Sequence, residues 1–426
     1  MAITEPGASA RSLYDPTSEL LADPYEVYAR LRETAPVQRI VGPDGRPAWI
    51  VTRYEDVRTS LADPRLSLDK SRALPGGYRG FGLPPALDAN LLNMDPPDHT
   101  RIRRFVARAF TTRRIEELRG PVRRTADELL DALEPGGRAD LIASYAAPLP
   151  IVVICELLGV PARDRRDFRE WTDALIAPDP ARPERMREAI AAMLAFFTGL
   201  LAHKRAEPGE DLLSALIAVR DEGEEAGDGT PPGAGASRGD GGDRLSEDEL
   251  MSLAFLILFA GYENTVQLIG NSVLALLQHP EQLAALRAEP GRTAAAVGEF
   301  ARYEGPALLA IRRFAVEDLT IGGVAVPAGE TVMLSLAAAN RDPRRFTDPD
   351  RLDLDRDTAG QVALGHGIHY CLGAPLARLE TEIALNALLE RFPRPALDVP
   401  YEDLRWRPST RARGLIELPV RLCFLW

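Results

Sequence analysis

A single cysteine in a glycine-rich loop is the residue of this chain best suited to chemistry. Cys371 lies in the decapeptide LGHGIHYCLG at residues 364–373, with three glycines and two histidines around it. The helix-forming run APLARLETEIALNALLERF follows directly. Glycines let the loop fold tightly and aim main-chain N–H groups at the sulfur, and the start of a helix adds positive charge there. Both effects favour a thiolate, which is a good soft ligand for iron.

Two other interpretations of Cys371 have to be considered. A free cysteine is usually a small buried hydrophobic residue of the core. It can also be a catalytic nucleophile when a histidine acts as its base, and His369 is only two residues away. The concentration of glycine and histidine around one cysteine favours metal ligation over both alternatives, but the residues alone leave them open.

A second candidate site interrupts the longest apolar helix that the sequence predicts. This helix, LMSLAFLILFAGYENTVQLIGNSVLALLQH, is opened by Ser246 and Glu249, which have the spacing of a capping box. Because it is hydrophobic nearly all round, it should be deeply buried. Four residues break its apolar character: Gly261, Glu263, Asn264 and Thr265. A buried acid and a mid-helix glycine usually mark function, although a locally paired carboxylate beside a packing glycine would look the same.

A basic segment stands out in this acidic chain. MDPPDHTRIRRFVARAFTTRRIEELR, residues 94–119, predicts a turn followed by one helix. Such a helix is either a solvated surface or a docking face for an acidic electron-transfer protein. Its arginines are Arg101, Arg103, Arg104, Arg108, Arg113, Arg114 and Arg119.

The remaining pattern is mostly helical. Strands are expected only as short segments, so the fold class is mainly α with a minor antiparallel β part. Residues 1–15 read as a loose N-terminal arm and residues 220–244 as a flexible, acidic, glycine-rich loop, because neither can bury much apolar surface. Two irregular stretches, residues 70–93 and 176–185, are expected to carry substrate specificity.

Composition narrows the functional class. The formal charge is −12, from 51 Lys and Arg against 63 Asp and Glu, which argues against nucleic acid as a partner. Cys155, Cys371 and Cys423 form neither a disulfide framework nor a zinc pattern. The N terminus lacks the features of a secretory signal, and no uninterrupted apolar run reaches the ~20 residues of a membrane span. We therefore expect a soluble, cytoplasmic protein with no membrane contact.

Taken together, these motifs resemble those of the cytochrome P450 family. The decapeptide matches the family's loop F-G-x-G-x-H-x-C-L-G at every position except the first, where Leu364 replaces phenylalanine. AGYENT resembles the family's A-G-x-[D/E]-T-T, and Glu299 with Arg302 matches its E-x-x-R, where a surface ion pair would be the ordinary interpretation. The motifs occur in the family's order across nearly the whole chain. The resemblance implies one domain, residues 1–426, although the length alone would suggest two or three.

The resemblance also implies a haem b cofactor and residues that hold it. Cys371 takes the place of the axial metal ligand. His99 and Arg103 match the family's D-P-P-x-H-x-x-x-R, whose histidine and arginine bind the haem propionates. Arg313 matches a third propionate-binding residue, with Arg312 as the competing candidate, and His369 belongs to the same cofactor-binding set. Arg356 or its neighbours would join Glu299 and Arg302 in a buried network.

The family's catalytic group maps onto Glu263, Asn264 and Thr265. Asn264 replaces a threonine that is credited with delivering protons to oxygen, and an amide cannot relay a proton as a hydroxyl does. The relay is therefore expected to use ordered water or a substrate hydroxyl together with Glu263.

The implied function is a monooxygenase that uses O₂ to hydroxylate or epoxidise a small-to-medium hydrophobic substrate. A polyketide, macrolide or other natural-product intermediate is expected, with electrons from a ferredoxin and its reductase, and the protein is expected to be a monomer. The alternatives are oxidative coupling, peroxide-driven oxidation and a haem-based sensor without turnover.

Overall fold

The structure is a computed structural model that describes residues 19–42, 44–78, 85–133, 137–176, 182–221, 245–392 and 394–422. The expected loose arm at residues 1–15 lies outside these ranges, and so does Cys423. Of the expected flexible loop at residues 220–244, only Arg220 and Asp221 are described, and both belong to a helix. The fold class is mainly α, as the sequence predicts.

Sixteen α-helices are present in the described residues. They are α1 Glu19–Ala22, α2 Pro24–Thr34, α3 Tyr54–Ala62, α4 Pro85–Asp88, α5 Asp98–Ala109, α6 Thr112–Glu117, α7 Arg119–Asp131, α8 Pro148–Leu158, α9 Arg165–Ile176, α10 Pro183–Ala206, α11 Leu212–Asp221, α12 Glu247–Gln278, α13 Pro280–Ala288, α14 Thr293–Glu304, α15 Leu336–Asn340 and α16 Ala374–Arg391.

Ten short strands in the same ranges form three small sheets. They are β1 Val37–Val41, β2 Pro47–Val51, β3 Leu66–Ser67, β4 Arg138–Asp140, β5 Arg313–Ala315, β6 Leu319–Ile321, β7 Val324–Val326, β8 Thr331–Leu334, β9 Ala396–Leu397 and β10 Pro419–Arg421. The largest sheet has the order β1-β2-β8-β5-β3, the second β4-β10-β9, and the third pairs β6 with β7. All pairs are antiparallel except β2 with β8, so the minor β part is mixed at one place.

The central helix α12 organises the core. The predicted capping box is present, since the Ser246 hydroxyl accepts from the Glu249 N–H and the Glu249 carboxylate accepts from the Ser246 N–H. Gly261 allows α8 to come close, because a Cβ there would lie 2.6 Å from Cδ1 of Ile154. The helix packs against α4, α8, α14 and α16, and α16 carries the chain away from the cysteine loop.

Two helical segments, Glu184–Ala206 and Glu247–Gln278, are long and apolar enough to cross a membrane by length and composition alone. The sequence expectation counted only uninterrupted apolar runs, whereas average hydropathy tolerates the polar residues within these helices. In the second segment 61% of the most apolar window is buried inside the protein, against 28% in the first. A buried core helix passes the same test, and most of this window of α12 is buried.

The basic segment folds differently from the single helix that the sequence predicts. It forms α5, breaks at Phe110 and Thr111, and resumes as α6 and α7. The Thr111 hydroxyl accepts from the Arg114 N–H at 3.3 Å, so it caps the new helix. A side chain that competes for the main chain in this way favours a helix start over a helix interior.

The expected network around Glu299 and Arg302 is confirmed. Both side chains are fully buried and joined by two hydrogen bonds of 2.7 and 2.8 Å. Arg356 is the third member, since its Nε lies 3.2 Å from Glu299 Oε1. Removing one partner of such a buried pair costs about 3–5 kcal/mol. The network fixes α14 to the segment that precedes the cysteine loop.

Candidate active site

A cavity of about 330 Å³ lies between α12 and the cysteine loop, and apolar side chains form most of its wall. The structure brings seven of the eight residues predicted for the site to this cavity. They are His99, Arg103, Asn264, Thr265, Arg313, His369 and Cys371. Their positions along the chain are far apart, so the fold, not the local sequence, assembles the site.

The cysteine loop wraps around the sulfur as its glycines suggest. Gly365 and Gly367 have φ angles of 78° and 73°, which glycine adopts without strain. The Cys371 N–H donates to the Leu364 carbonyl at 2.9 Å and closes the loop. The helix α16 then begins at Ala374, three residues after the sulfur.

Burial raises the pKa of the Cys371 thiol above its usual range, although the main-chain N–H groups of Gly373 and Ala374 and the charge of Arg103 oppose this shift. The donors act in the direction that the sequence predicts, but in the protein alone the loss of solvent outweighs them, so the net shift of the pKa is upward. A coordinating metal deprotonates a thiol outright, so a bound ion would offset the effect of burial.

Four cationic or imidazole side chains form a group at one side of the cavity. His99 of α5 is 1% exposed, and neither of its ring nitrogens has a hydrogen-bond partner. Its ring lies 4.2 Å from that of His369, centroid to centroid. Arg313 of β5 is buried and donates to the Ile311 carbonyl at 3.2 Å, while Arg103 donates to the Tyr370 carbonyl at 2.6 Å.

The electrostatics of this group favour the binding of an anion. Burial, followed by the charge of Arg103, lowers the pKa of His99 to about 4. Burial, followed by the charge of Arg313, lowers the pKa of His369 to about 3. Burial also lowers the pKa of Arg313 to about 10. Within the described ranges no carboxylate forms an ion pair with these four side chains, and burying such groups unpaired is costly.

These features fit a flat apolar cofactor that carries a metal and carboxylates. The unpartnered nitrogens of His99 and the buried guanidinium of Arg313 can bind carboxylates, the sulfur of Cys371 can bind a soft metal, and the apolar walls can cover a ring system. The fit rests on side chains that form no ion pair with a carboxylate of the described residues, and on two histidine nitrogens without a hydrogen-bond partner.

Arg312 points away from the cavity, in contrast to Arg313. Its guanidinium donates to the Leu92 carbonyl at 3.1 Å and to the amide oxygen of Asn93 at 2.7 Å. Arg313 is the first residue of β5 and Arg312 precedes it, and neighbouring residues of an extended chain point to opposite sides, which explains the difference. Of the two candidates that the sequence left open, only Arg313 lines the cavity.

On the opposite wall, α12 presents Asn264 and Thr265 to the cavity. The Thr265 hydroxyl donates to the Gly261 carbonyl at 3.0 Å. The Asn264 amide makes only a long contact of 3.5 Å with the Ala260 carbonyl, so its polar atoms remain available to a bound molecule. Between them these residues supply the polar groups of an otherwise apolar helix face.

Glu263 does not line the cavity. Its Oε1 lies 3.0 Å from Arg407 Nη1 and 3.1 Å from Gln267 Nε2, and the side chain is 15% exposed. Gln267 also accepts from the Leu415 N–H, so both residues tie α12 to the C-terminal segment. The structure therefore places the acid on a different face of α12 from Asn264 and Thr265, because successive residues of a helix point in different directions around its axis.

The sequence missed Arg407 and Glu380. Arg407 is remote from Glu263 in the chain, and nothing local marks it. Glu380 of α16 is 1% exposed, lines the cavity, and its Oε2 lacks a hydrogen-bond partner. An acid inside an apolar helix is the same signal that singled out Glu263, and it could have identified Glu380 as well.

Comparison with known proteins places this geometry in a known group. Residues 233–400 match the family model described as Cytochrome P450. Cytochrome P450 107B1 of Saccharopolyspora erythraea is 48% identical over 407 residues, which is 94% of this chain and 95% of that protein. Cytochrome P450 monooxygenase PikC of Streptomyces venezuelae is 48% identical over 410 residues, 95% and 92% of the two chains. The solved structure of the ligand-free P450 monooxygenase TamI has a TM-score of 0.84 and 44% identity, covering 97% of this chain and 94% of that one.

Proposed function

Because this chain belongs to the cytochrome P450 family of haem monooxygenases, we propose that it hydroxylates or epoxidises a polyketide, macrolide or other natural-product intermediate of small to medium size. The observation that supports this most is the cavity that joins Cys371, the unpaired cationic group and Asn264. The names of the relatives agree with it, since they include a 6-deoxyerythronolide B hydroxylase and a mycinamicin IV hydroxylase/epoxidase. TamI has been solved with tirandamycin C bound.

We propose that the cofactor is haem b. Cys371 would provide the axial thiolate, and His99, Arg103, Arg313 and His369 would bind the propionate carboxylates. When bound, the haem supplies O₂ activation and the transfer of one oxygen atom to the substrate. The protein's own task is to exclude water, hold the substrate and manage protons.

Asn264 and Thr265 would orient substrate or water next to the cofactor, and Glu263 would connect this place with solvent. Asn264 can donate and accept hydrogen bonds but has no hydroxyl, so ordered water or a hydroxyl of the substrate would have to complete the path. Glu263 contacts Arg407, whose side chain is 28% exposed, and this provides a polar route from the helix to the surface.

A ferredoxin with its reductase would supply electrons. The cysteine loop exposes Ile368 and Tyr370, which are 50% and 36% accessible. Arg103 donates to the main chain of Tyr370, and Arg378 lies 3.5 Å from its hydroxyl. An apolar centre with cations beside it suits an acidic protein partner. We also propose that the enzyme works as a monomer in the cytoplasm.

A second candidate function is oxidative coupling. Two solved relatives are named for bond-forming reactions: a P450 enzyme for C–S bond formation, at 36% identity, and a thioether synthase, at 43% identity. Coupling does not require the same proton delivery as oxygen insertion, so the substitution of Asn264 for threonine is compatible with it.

The first test is spectroscopic. The purified protein should contain haem, and the reduced protein under carbon monoxide should give the absorption band of a thiolate-bound haem. Cys371→Ala should lose this band, whereas Cys155→Ala, at a buried cysteine away from the cavity, should keep it. A wild-type protein without haem after growth with a haem precursor would contradict the proposal.

The second test separates the reactions. Macrolides, other polyketides, terpenoids and steroids are screened by spectral titration, and the best ligands are incubated with NAD(P)H and surrogate ferredoxin and reductase. Incorporation of one ¹⁸O atom from ¹⁸O₂ supports oxygen insertion. A dehydrogenated, bond-coupled product without ¹⁸O supports coupling, and turnover with peroxide alone supports peroxide-driven oxidation.

A further inference from the structure

Arg312 is a buried cation whose hydrogen bonds go only to neutral acceptors. The residue is 5% exposed, and its Nε has no hydrogen-bond partner. Its guanidinium lies 5.2 Å from the ring centroid of Tyr78 and 5.6 Å from that of Phe314. Burial lowers the pKa of Arg312. Keeping a charge in such a place is costly, so a specific function of the guanidinium is to be expected.

Its acceptors belong to the wall of the cavity. Nη1 lies 3.1 Å from the Leu92 carbonyl, and Nη2 lies 3.4 Å from the Leu68 carbonyl. The side chains of Leu68, Leu91 and Leu92 line the cavity. One planar guanidinium therefore joins two segments of main chain, one just before residues 70–93, which the sequence assigns to specificity, and one near their end.

A polar chain extends this contact. Nη2 of Arg312 lies 2.7 Å from Oδ1 of Asn93, and Nδ2 of Asn93 donates to the Asp88 carboxylate at 2.9 Å. Lys70 lies 2.6 Å from the same carboxylate. The described beginning and end of the segment are thus tied to each other and to Arg312, the residue that directly precedes β5.

We propose that Arg312 is a positioning residue that sets the substrate specificity of the cavity, because its guanidinium holds the backbones of Leu68 and Leu92 at fixed positions relative to each other. It does not touch the substrate or the cofactor. The inference rests on the function proposed above, in which this cavity receives the substrate. The planar guanidinium has several N–H donors in a fixed arrangement and can bridge two carbonyls and an amide. A lysine ammonium acts as a point charge and does not reproduce this geometry.

The test uses the haem-loaded full-length protein and two azole probes of different size. Imidazole is small, and clotrimazole carries three aromatic rings that must pack against the walls. In Arg312→Met and Arg312→Lys the spectral Kd of clotrimazole should rise about tenfold, since a loose wall has to be ordered by the ligand. The Kd of imidazole should stay within about twofold. Arg65→Met, at an arginine that is 46% exposed near the same sheet, is the matched control and should change neither value.

A second readout does not depend on ligand binding. Amide hydrogen exchange of residues 85–95 should become about tenfold faster in both Arg312 variants and remain unchanged in Arg65→Met. Asn93→Ala removes one acceptor and should show a smaller effect. Because both residues act through one contact, the double variant should behave like Arg312→Met alone.

The outcomes distinguish the two proposals. If the wild-type protein gives no spectral change with imidazole, the proposed haem function fails. If the wild type binds both azoles but Arg312→Met binds clotrimazole as the wild type does, only the inference on Arg312 fails. A full rescue by Arg312→Lys would also overturn it, since charge alone would then be sufficient. Should Arg312→Met not fold, Asn93→Ala still tests the contact.

Discussion

The side chains around the cavity are arranged at a cost to the protein itself. His99 is buried without a partner for either nitrogen, and Arg313 is buried with only a main-chain carbonyl as acceptor. An unsatisfied buried polar group costs about 1–3 kcal/mol. A bound ligand can offset this cost, and the cofactor carboxylates proposed above would do so.

Replacement of these residues should therefore weaken haem retention. His99→Leu and Arg313→Gln are each expected to speed the transfer of haem to apomyoglobin about tenfold, because each loses a charge-assisted hydrogen bond to a propionate. The measurement is the decay of the Soret band after mixing. His279→Leu, at a histidine that bonds the Ala275 carbonyl away from the cavity, is the control. Unchanged transfer in both site variants would show that the carboxylates bind elsewhere.

Among single residues, the sequence could predict those that belong to short motifs. Cys371, His369 and the pair Asn264 and Thr265 stand in short motifs, so their neighbours already indicate the site. Arg407 could not be predicted, because its contact with Glu263 depends on how a distant C-terminal segment packs. The direction in which the N–H donors shift the pKa of Cys371 could be predicted, but the larger, opposite effect of burial could not, since burial is a property of the fold.

Among the elements, α12 combines two functions on adjoining faces. One face presents Asn264 and Thr265 to the cavity, and the next holds Glu263 against Arg407 and Gln267. The ion pair also fastens the C-terminal segment, so a defect at Glu263 has two possible causes. Separate variants of the two partners distinguish proton transfer from anchoring.

Glu263→Gln should lower the ratio of product to released peroxide about tenfold, because an amide keeps the size of the side chain but cannot carry the proton. Arg407→Gln loses the same ion pair and keeps the carboxylate, so it should retain more than half of the wild-type ratio. Arg405→Gln, which loses an exposed pair with Glu417, is the matched control. Equal losses in Glu263→Gln and Arg407→Gln would mean that the pair only anchors the segment.

A second element-scale prediction concerns α16. Burial raises the pKa of Glu380 well above its usual value of 4.5, so the folded state holds the proton more tightly than the unfolded state. Its contribution to stability is present below about pH 4.5 and is lost as the pH rises towards the pKa of the folded state. Over that window the wild type should lose about 1.4 kcal/mol of unfolding free energy per pH unit relative to Glu380→Gln.

Urea unfolding of the haem-loaded proteins between pH 5 and 8 measures this difference. Glu390→Gln is the control on the same helix, since Glu390 is 51% exposed and pairs with Arg123. Its stability should follow the wild type across the range. If the unfolding free energy of Glu380→Gln depended on pH as that of the wild type does, the raised pKa of Glu380 in the folded state would be contradicted.

The elements themselves were predictable where a pattern is long. The period of apolar residues and the capping box located α12, and the run after Cys371 located α16. The break at Phe110 was missed, because the arginine pattern continues across it. The strand β5 was not predicted for another reason: it is short, and it is defined by pairing with distant β3 and β8.

For the molecule as a whole, the distribution of charge over the surface matters more for partner binding than the net charge does. The chain has a net charge of −12, yet its cysteine loop lies next to arginines. The structure reduces the number of arginines that are available in the basic segment, which the sequence suggested as a docking face. Arg101 pairs with Glu249, Arg113 with Glu117, and Arg119 with Glu116 and Glu382, so these three arginines are largely neutralised within the protein.

The proposed docking surface is centred on Ile368 and Tyr370 of the cysteine loop. Arg378 contacts the Tyr370 hydroxyl, and burial, followed by the charge of Arg58, lowers the pKa of His366 in the same loop. Both arginines are exposed and neither is part of the proposed cofactor site. Electrons that enter here would reach the ligand Cys371 within a few residues, so a partner on this surface would be well placed.

Reversal of these two charges should therefore weaken the encounter with an acidic ferredoxin. The double variant Arg58→Glu/Arg378→Glu is expected to raise the KM for the ferredoxin about tenfold at low salt, because charge complementarity acts mainly on association. The clotrimazole Kd and the haem content should not change. The dependence of KM on ionic strength should also become flatter, as screening then has less attraction to remove. Arg166→Glu, at an 85% exposed arginine of α9, is the control for net charge, and an equal rise in KM in that variant would show that the overall charge, not this surface, selects the partner.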